Sequence, residues 1–151
     1  MKKVLVVCLG NICRSPTAEA VLKAKTAERK LAVEVDSAGT IGYHAGNPPD
    51  KRSQAAGLKR GYSFKGIQSR QVNSHDFDYF DLILAADKSN LADLAALCPP
   101  HLQYKLALFL SYGNTSIDEI PDPYYGGENG FEHVLDLIEA ASEAILDSLE
   151  R

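Results

Sequence analysis

The chain has 151 residues, of which 45% are apolar and 24% charged, with a formal net charge of −4. One domain of that size buries a sufficient core without metal or disulfide staples, and the scattered Lys and Arg argue against a nucleic-acid partner. No apolar run reaches the ~18 residues of a membrane span and no segment resembles a signal peptide, so no membrane partner and a cytoplasmic location are expected.

The predicted elements alternate. Lys3 to Cys8 is a short, Val-rich apolar run suited to a strand covered on both faces. Ser15 as N-cap and Pro16 at the first helical position open a helix with Ala18, Val21, Leu22 and Leu31 as core contacts. A second strand is expected over Leu31 to Ser37, then a Gly/Pro-rich loop, Ala38 to Pro49, and a helix from about Asp50 to Lys59 that ends at Gly61. Gly61 to Asp76 is irregular. Phe80 to Ala85 reads as a strand, Lys88 to Ala96 as a helix stopping before Pro99-Pro100, and Tyr104 to Leu110 as a fourth strand. A polar loop, Ser111 to Gly130, precedes a helix from Phe131 to about Leu149 with i, i+3, i+4 apolar spacing. This order predicts a single α/β domain over 1–151, a parallel sheet with helices on both faces and its ligand site beyond the carboxyl ends of the strands.

The segment at the first strand's carboxyl end, Cys8-Leu9-Gly10-Asn11-Ile12-Cys13-Arg14-Ser15, concentrates the chemistry. Its five residues between Cys8 and Arg14 allow the loop to curl, and Gly10 and Asn11 tolerate left-handed backbone. Converging amides at a helix N-terminus make an anion cradle, and Arg14 adds a bidentate fork for two phosphate oxygens. Thiolate, the nucleophilic form of cysteine, is favoured where helix amides and a cation converge. The missing Gly-Lys-Ser/Thr excludes a nucleotide-binding glycine loop. With three cysteines, no CxxC pair and four dispersed histidines, neither a disulfide framework nor a metal site is expected, and no cofactor is called for.

CLGNICRSPTAEA at 8–20, DSAGT at 36–40, GNPPD at 46–50 and DPYYGG at 122–127 resemble, in order along nearly the whole chain, the low-molecular-weight protein tyrosine phosphatases. The resemblance implies a flavodoxin-like fold with a four-stranded parallel sheet, and metal-independent hydrolysis of phosphotyrosine or small aryl phosphates through a cysteinyl-phosphate intermediate. It implies Cys8 as nucleophile, Arg14 as phosphate and transition-state ligand, and Asp122 as general acid and then base. Asn11 would hold the loop geometry, Ser15 assist the thiolate and Ser37 support the network. Leu9, Tyr43, Tyr124 and Tyr125 match positions lining an aromatic slot. Asp50 matches an acidic position at the site entrance, which a helix N-cap explains equally well. Cys13 matches a second loop cysteine, either a redox partner of Cys8 or a packing residue; Cys98 is expected to be structural. Tyr124-Tyr125 matches a pair used by relatives for regulatory phosphorylation and weak self-association.

Two departures stand out. Some family members carry a histidine just before the Arg-Gln that matches Arg70-Gln71, supporting the loop asparagine; here the stretch reads KGIQSRQ and has none. Ile12 stands where the protein-arginine phosphatase branch carries threonine, which favours a flat ring over a guanidinium. The alternatives to a phosphotyrosine hydrolase are that branch, an arsenate reductase of the same fold, and a non-catalytic phosphotyrosine-binding module. A reductase would need further resolving cysteines, and an inactive module would be expected to lose the cysteine or the acid.

Overall fold

The computed structural model describes residues 1–113, 116–123 and 129–150. Its elements run β1 Lys2–Cys8, α1 Arg14–Arg29, β2 Val33–Gly39, α2 Lys51–Lys59, α3 Ser74–Tyr79, β3 Leu82–Ala85, α4 Lys88–Leu97, β4 Leu106–Leu108 and α5 Gly130–Glu150. The four strands are parallel in the order β2-β1-β3-β4. β1 is central, and alternation along it builds two cores. Val4 and Val6 join the layer under α1 and α5, whereas Leu5 and Val7 join Phe77, Phe80, Ile83 and Leu94 on the opposite face. Burial on both faces explains the continuous apolar run.

The strand order reverses at β1. The chain leaves β1 through α1 to reach β2 on one side, and β3 and β4 lie on the other. The β1 carboxyl end is therefore the switch point of the sheet, where a crevice opens between loops that diverge.

Several expected boundaries move. Ser15 does not cap α1: the helix starts at Arg14, with Cys13 at the cap, because the Ser15 hydroxyl is engaged by Cys8 Sγ and Asn11. The helix closes on Lys30 in the left-handed region (φ 56°), and the Leu31 amide bonds back to Thr26, so β2 begins at Val33 rather than Leu31. β4 is three residues, not the run Tyr104 to Leu110, since 3-10 turns at Pro100–Lys105 and Phe109–Tyr112 take up both ends. The segment 61–76 hides the start of α3, whose cap is a reciprocal pair between Asn73 and Asp76. Asp50 caps α2, its Oδ2 accepting from the Arg52 and Ser53 amides.

Gly39, the last residue of β2, lies against the loop after β1. A Cβ there would stand 2.7 Å from the Leu9 carbonyl oxygen and 3.0 Å from that of Ile41. Gly39→Ala is expected to cost about 1–3 kcal/mol, as overpacking does, and to distort the loop. Thermal unfolding alongside activity checks this: an unchanged midpoint with parent activity would contradict it.

Candidate active site

Along the loop after β1, the carbonyls of Cys8, Leu9, Gly10, Ile12 and Cys13 are each tied to a neighbouring segment or to α1. Cys8 O accepts from the Thr40 amide (2.9 Å), Leu9 O from the Ile41 amide (3.1 Å), Gly10 O from Ser69 Oγ (2.9 Å) and Ile12 O from the Asp50 amide (2.7 Å). Cys13 O accepts from the Thr17 amide and hydroxyl. In a trans peptide the N–H points opposite its carbonyl, so the amides of Leu9, Gly10, Asn11, Cys13 and Arg14 are turned the other way. The Asn11 amide meets Cys8 Sγ at 3.3 Å. Asn11 adopts φ 56°, a left-handed conformation that asparagine tolerates.

Asn11 is also the hub behind the loop. Its Nδ2 donates to Ser15 Oγ (2.8 Å) and Ser37 Oγ (2.9 Å), and its Oδ1 accepts from the Arg70 amide (3.0 Å). Ser15 Oγ lies 3.0 Å from Cys8 Sγ. Asn11, Ser15 and Ser37 are all buried. The support absent with the histidine is supplied by other groups: Ser69 holds the Gly10 carbonyl, and the Arg70 backbone holds Asn11. The Arg70 guanidinium is itself fixed between Asp36 and Asp76.

Arg14 reaches Asp87 through Nη1 at 2.7 Å and the Ile120 carbonyl at 3.1 Å. Asp87 is the N-cap of α4; its Oδ1 accepts from the Asn90 amide (2.7 Å), leaving Oδ2 for the arginine. Both are only partly exposed, which favours a fixed geometry over a solvated pair.

A cavity of about 150 Å³ opens at this point, lined by Cys8, Leu9, Gly10, Ile12, Cys13 and Arg14 from the loop, Ile41 and His44 from the segment after β2, and Asp122 and Pro123. Three stretches remote in sequence thus meet where the topology puts a ligand. A sequence profile of the family described as low molecular weight phosphotyrosine protein phosphatase matches residues 3–151. The chain belongs to that family.

The phosphatase is 46% identical to a putative low molecular weight protein-tyrosine-phosphatase of Synechocystis sp., with 97% of this chain and 96% of the relative covered. It is 43% identical to the low molecular weight phosphotyrosine protein phosphatase of Homo sapiens, covering 88% and 86% of the two chains. Among solved structures it is similar to a protein tyrosine phosphatase of Entamoeba histolytica, with a TM-score of 0.95, 44% identity and coverage of 99% and 97%.

The predicted site residues of the phosphatase distribute unevenly. Cys8, Leu9, Gly10, Ile12, Cys13, Arg14 and Asp122 line one cavity; Asn11, Ser15 and Ser37 stand behind it. Tyr43 is not among the described lining residues: it is 83% exposed and set edge-on to His44, which does line the cavity. A Cβ on Gly10 would meet His44 Cδ2 at 2.9 Å, so the imidazole rests on the loop backbone. Tyr124 and Tyr125 lie outside the described residues. Cys98 belongs to the core on the other face of the sheet from Cys8, and burial pushes its thiol pKa up. The reading of the sequence missed Asp87, Glu19, Ile41, His44 and Ser69. Only Asp87 carried a signal, an N-cap aspartate directly after a strand predicted to end at the same sheet edge.

Proposed function

We propose that the phosphatase hydrolyses aryl phosphates, with phosphotyrosine in proteins as the substrate class, by two in-line displacements at phosphorus. The inward amides and Arg14 hold the nonbridging oxygens. The Cys8 thiolate attacks, an S–P bond forms and the P–O bond to the ring breaks, while Asp122 gives its proton to the departing phenolate. In the second step Asp122 takes a proton from water, the water oxygen bonds to phosphorus and the S–P bond breaks. Ser15 Oγ, 3.0 Å from Cys8 Sγ, then donates to the returning thiolate. The charge is carried by guanidinium and amides throughout.

The observation that carries this reading is the convergence of Cys8, Arg14 and Asp122 on one cavity whose floor is the carbonyl-out loop. Leu9, Ile12 and Ile41 give it apolar walls suited to a flat ring. Arsenate reduction is less well supported, since Cys98 is buried across the sheet from Cys8. Turnover of para-nitrophenyl phosphate in the presence of a chelator, with a phosphocysteine trapped on the Cys8 peptide by acid quench and mass spectrometry, tests the scheme. Label on any other residue would overturn it.

Asp87→Asn is expected to lower kcat/KM about tenfold by weakening the hold on Arg14, the scale of one charge-assisted hydrogen bond. The same substitution should weaken inhibition by inorganic phosphate in parallel; a loss of turnover with phosphate inhibition unchanged would show that Asp87 does not act through Arg14.

Cys13 lines the same cavity as Cys8, and we assign it as a reversible trap for oxidised Cys8. Peroxide converts the Cys8 thiolate to a sulfenic acid, and the Cys13 thiol displaces water to form the disulfide, which added thiol reduces. Cys13→Ser is therefore expected to recover less activity with dithiothreitol after peroxide than the parent does. Equal recovery would remove Cys13 from that role.

A further inference from the structure

Glu19 is 4% exposed, a rare state for a carboxylate. It stands one helical turn beyond Ser15 on α1, so the two side chains share the face turned toward the β1 and β2 ends. Glu19 Oε1 accepts from the Ser37 hydroxyl at 2.6 Å, and Oε2 is paired with Lys23, itself half-exposed.

The direction of every proton in the chain of contacts then follows. A carboxylate only accepts, so the Ser37 hydroxyl proton is committed to Glu19 and Ser37 Oγ is left to accept from Asn11 Nδ2 (2.9 Å). The orientation of the Asn11 amide is set from the other end as well, because its Oδ1 takes the Arg70 amide at 3.0 Å. The second Nδ2 proton goes to Ser15 Oγ at 2.8 Å, and with Cys8 as the thiolate, which can only accept, the hydroxyl proton of Ser15 is offered to Cys8 Sγ at 3.0 Å, the Ala38 carbonyl at 3.4 Å being the competing acceptor among the described residues.

We infer that Glu19 is a positioning residue for the reaction: it anchors the far end of a buried chain, Glu19–Ser37–Asn11–Ser15, that holds a hydroxyl proton on the Cys8 sulfur. Without that anchor the Ser37 hydroxyl is free to rotate. Asn11 then loses a partner that keeps its left-handed backbone in place, and the Ser15 proton is shared with Ala38. The inference rests on Cys8 being the nucleophile.

The test reads Cys8 directly. Parent, Glu19→Gln, Ser37→Ala and the double variant are alkylated with iodoacetamide, and the Cys8 peptide is followed by mass spectrometry. Glu19→Gln keeps the volume but offers Ser37 a donor as readily as an acceptor. Its alkylation rate is expected to fall about fivefold at about pH 6, the scale of one ordinary hydrogen bond, and to change little at about pH 9, where bulk base ionises ordinary thiols. A loss of fold or of access would slow or speed both rates together. The double variant is expected to alkylate no more slowly than Ser37→Ala alone, since both act through one chain. Parent-like rates in Glu19→Gln, or effects of the two substitutions that multiply, would overturn the inference. Should Glu19→Gln not fold, Glu19→Asp, which keeps the charge but withdraws it from Ser37 by one methylene, is read by the same two rates. No substrate is present, so turnover surviving in Cys8→Ser would defeat the proposed mechanism in a separate measurement.

Discussion

Cys8→Ser is expected to lose turnover by at least about 10⁴-fold while keeping its affinity for phosphate. A serine hydroxyl is not appreciably ionised near neutral pH, and the hydroxyl beside it, that of Ser15, is no base. The cradle survives, because what fixes it is backbone: the Cys8 carbonyl, not its sulfur, takes the Thr40 amide, and the other loop carbonyls are held from Ile41, Ser69 and Asp50. Steady-state rates on para-nitrophenyl phosphate, with calorimetric titration of inorganic phosphate, separate the two effects. Near-parent rates would dispose of the covalent route. Loss of phosphate affinity along with rate would show that the sulfur shapes the cradle as well as reacting.

Asp122→Asn is expected to lower kcat by about 10²–10⁴-fold on phenyl phosphates with poor leaving groups, and far less on those with good ones. Asp122 lines the same cavity as Cys8 from a segment outside the sheet, and in the proposed mechanism it is the proton donor. An amide there preserves size and polarity but carries no proton of suitable acidity. Rates across phenols of graded acidity are the measure: a steepened dependence on leaving-group pKa is expected. A uniform loss across the series would reassign Asp122 to binding.

That Cys8 and Arg14 meet at one cavity was legible in the sequence because the loop between them is made within one short stretch, where spacing translates directly into geometry; the helix start was placed two residues late because Ser15 looks like a cap. Asp122 needed the resemblance, as nothing in the spacing ties position 122 to position 8. Asp87, Glu19 and Ser69 went unread for the same physical reason. Each acts through a partner that only the sheet order brings near, and each looks, by itself, like a cap, a surface charge or a loop serine. The end of the fourth strand was misjudged because an apolar run looks alike as strand and as 3-10 turn; Phe109 is fully buried in the latter. His44 went unread beside Tyr43: in the turn after β2 it is His44 that lines the cavity, while Tyr43 stands exposed next to it.

The outward anchoring of the anion loop also bears on kinetics. The carbonyls of Cys8, Leu9, Gly10 and Ile12 are tied to the segment after β2, to Ser69 and to the start of α2, so those peptides cannot flip without first breaking a bond to a neighbouring segment. In the proposed mechanism an arriving phosphate meets amides already turned inward, and encounter need not wait on a slow backbone rearrangement. Association should then be governed by diffusion and by the local field of Arg14, slowing as salt is added, with the residence time left to the ring's fit against Leu9, Ile12 and Ile41.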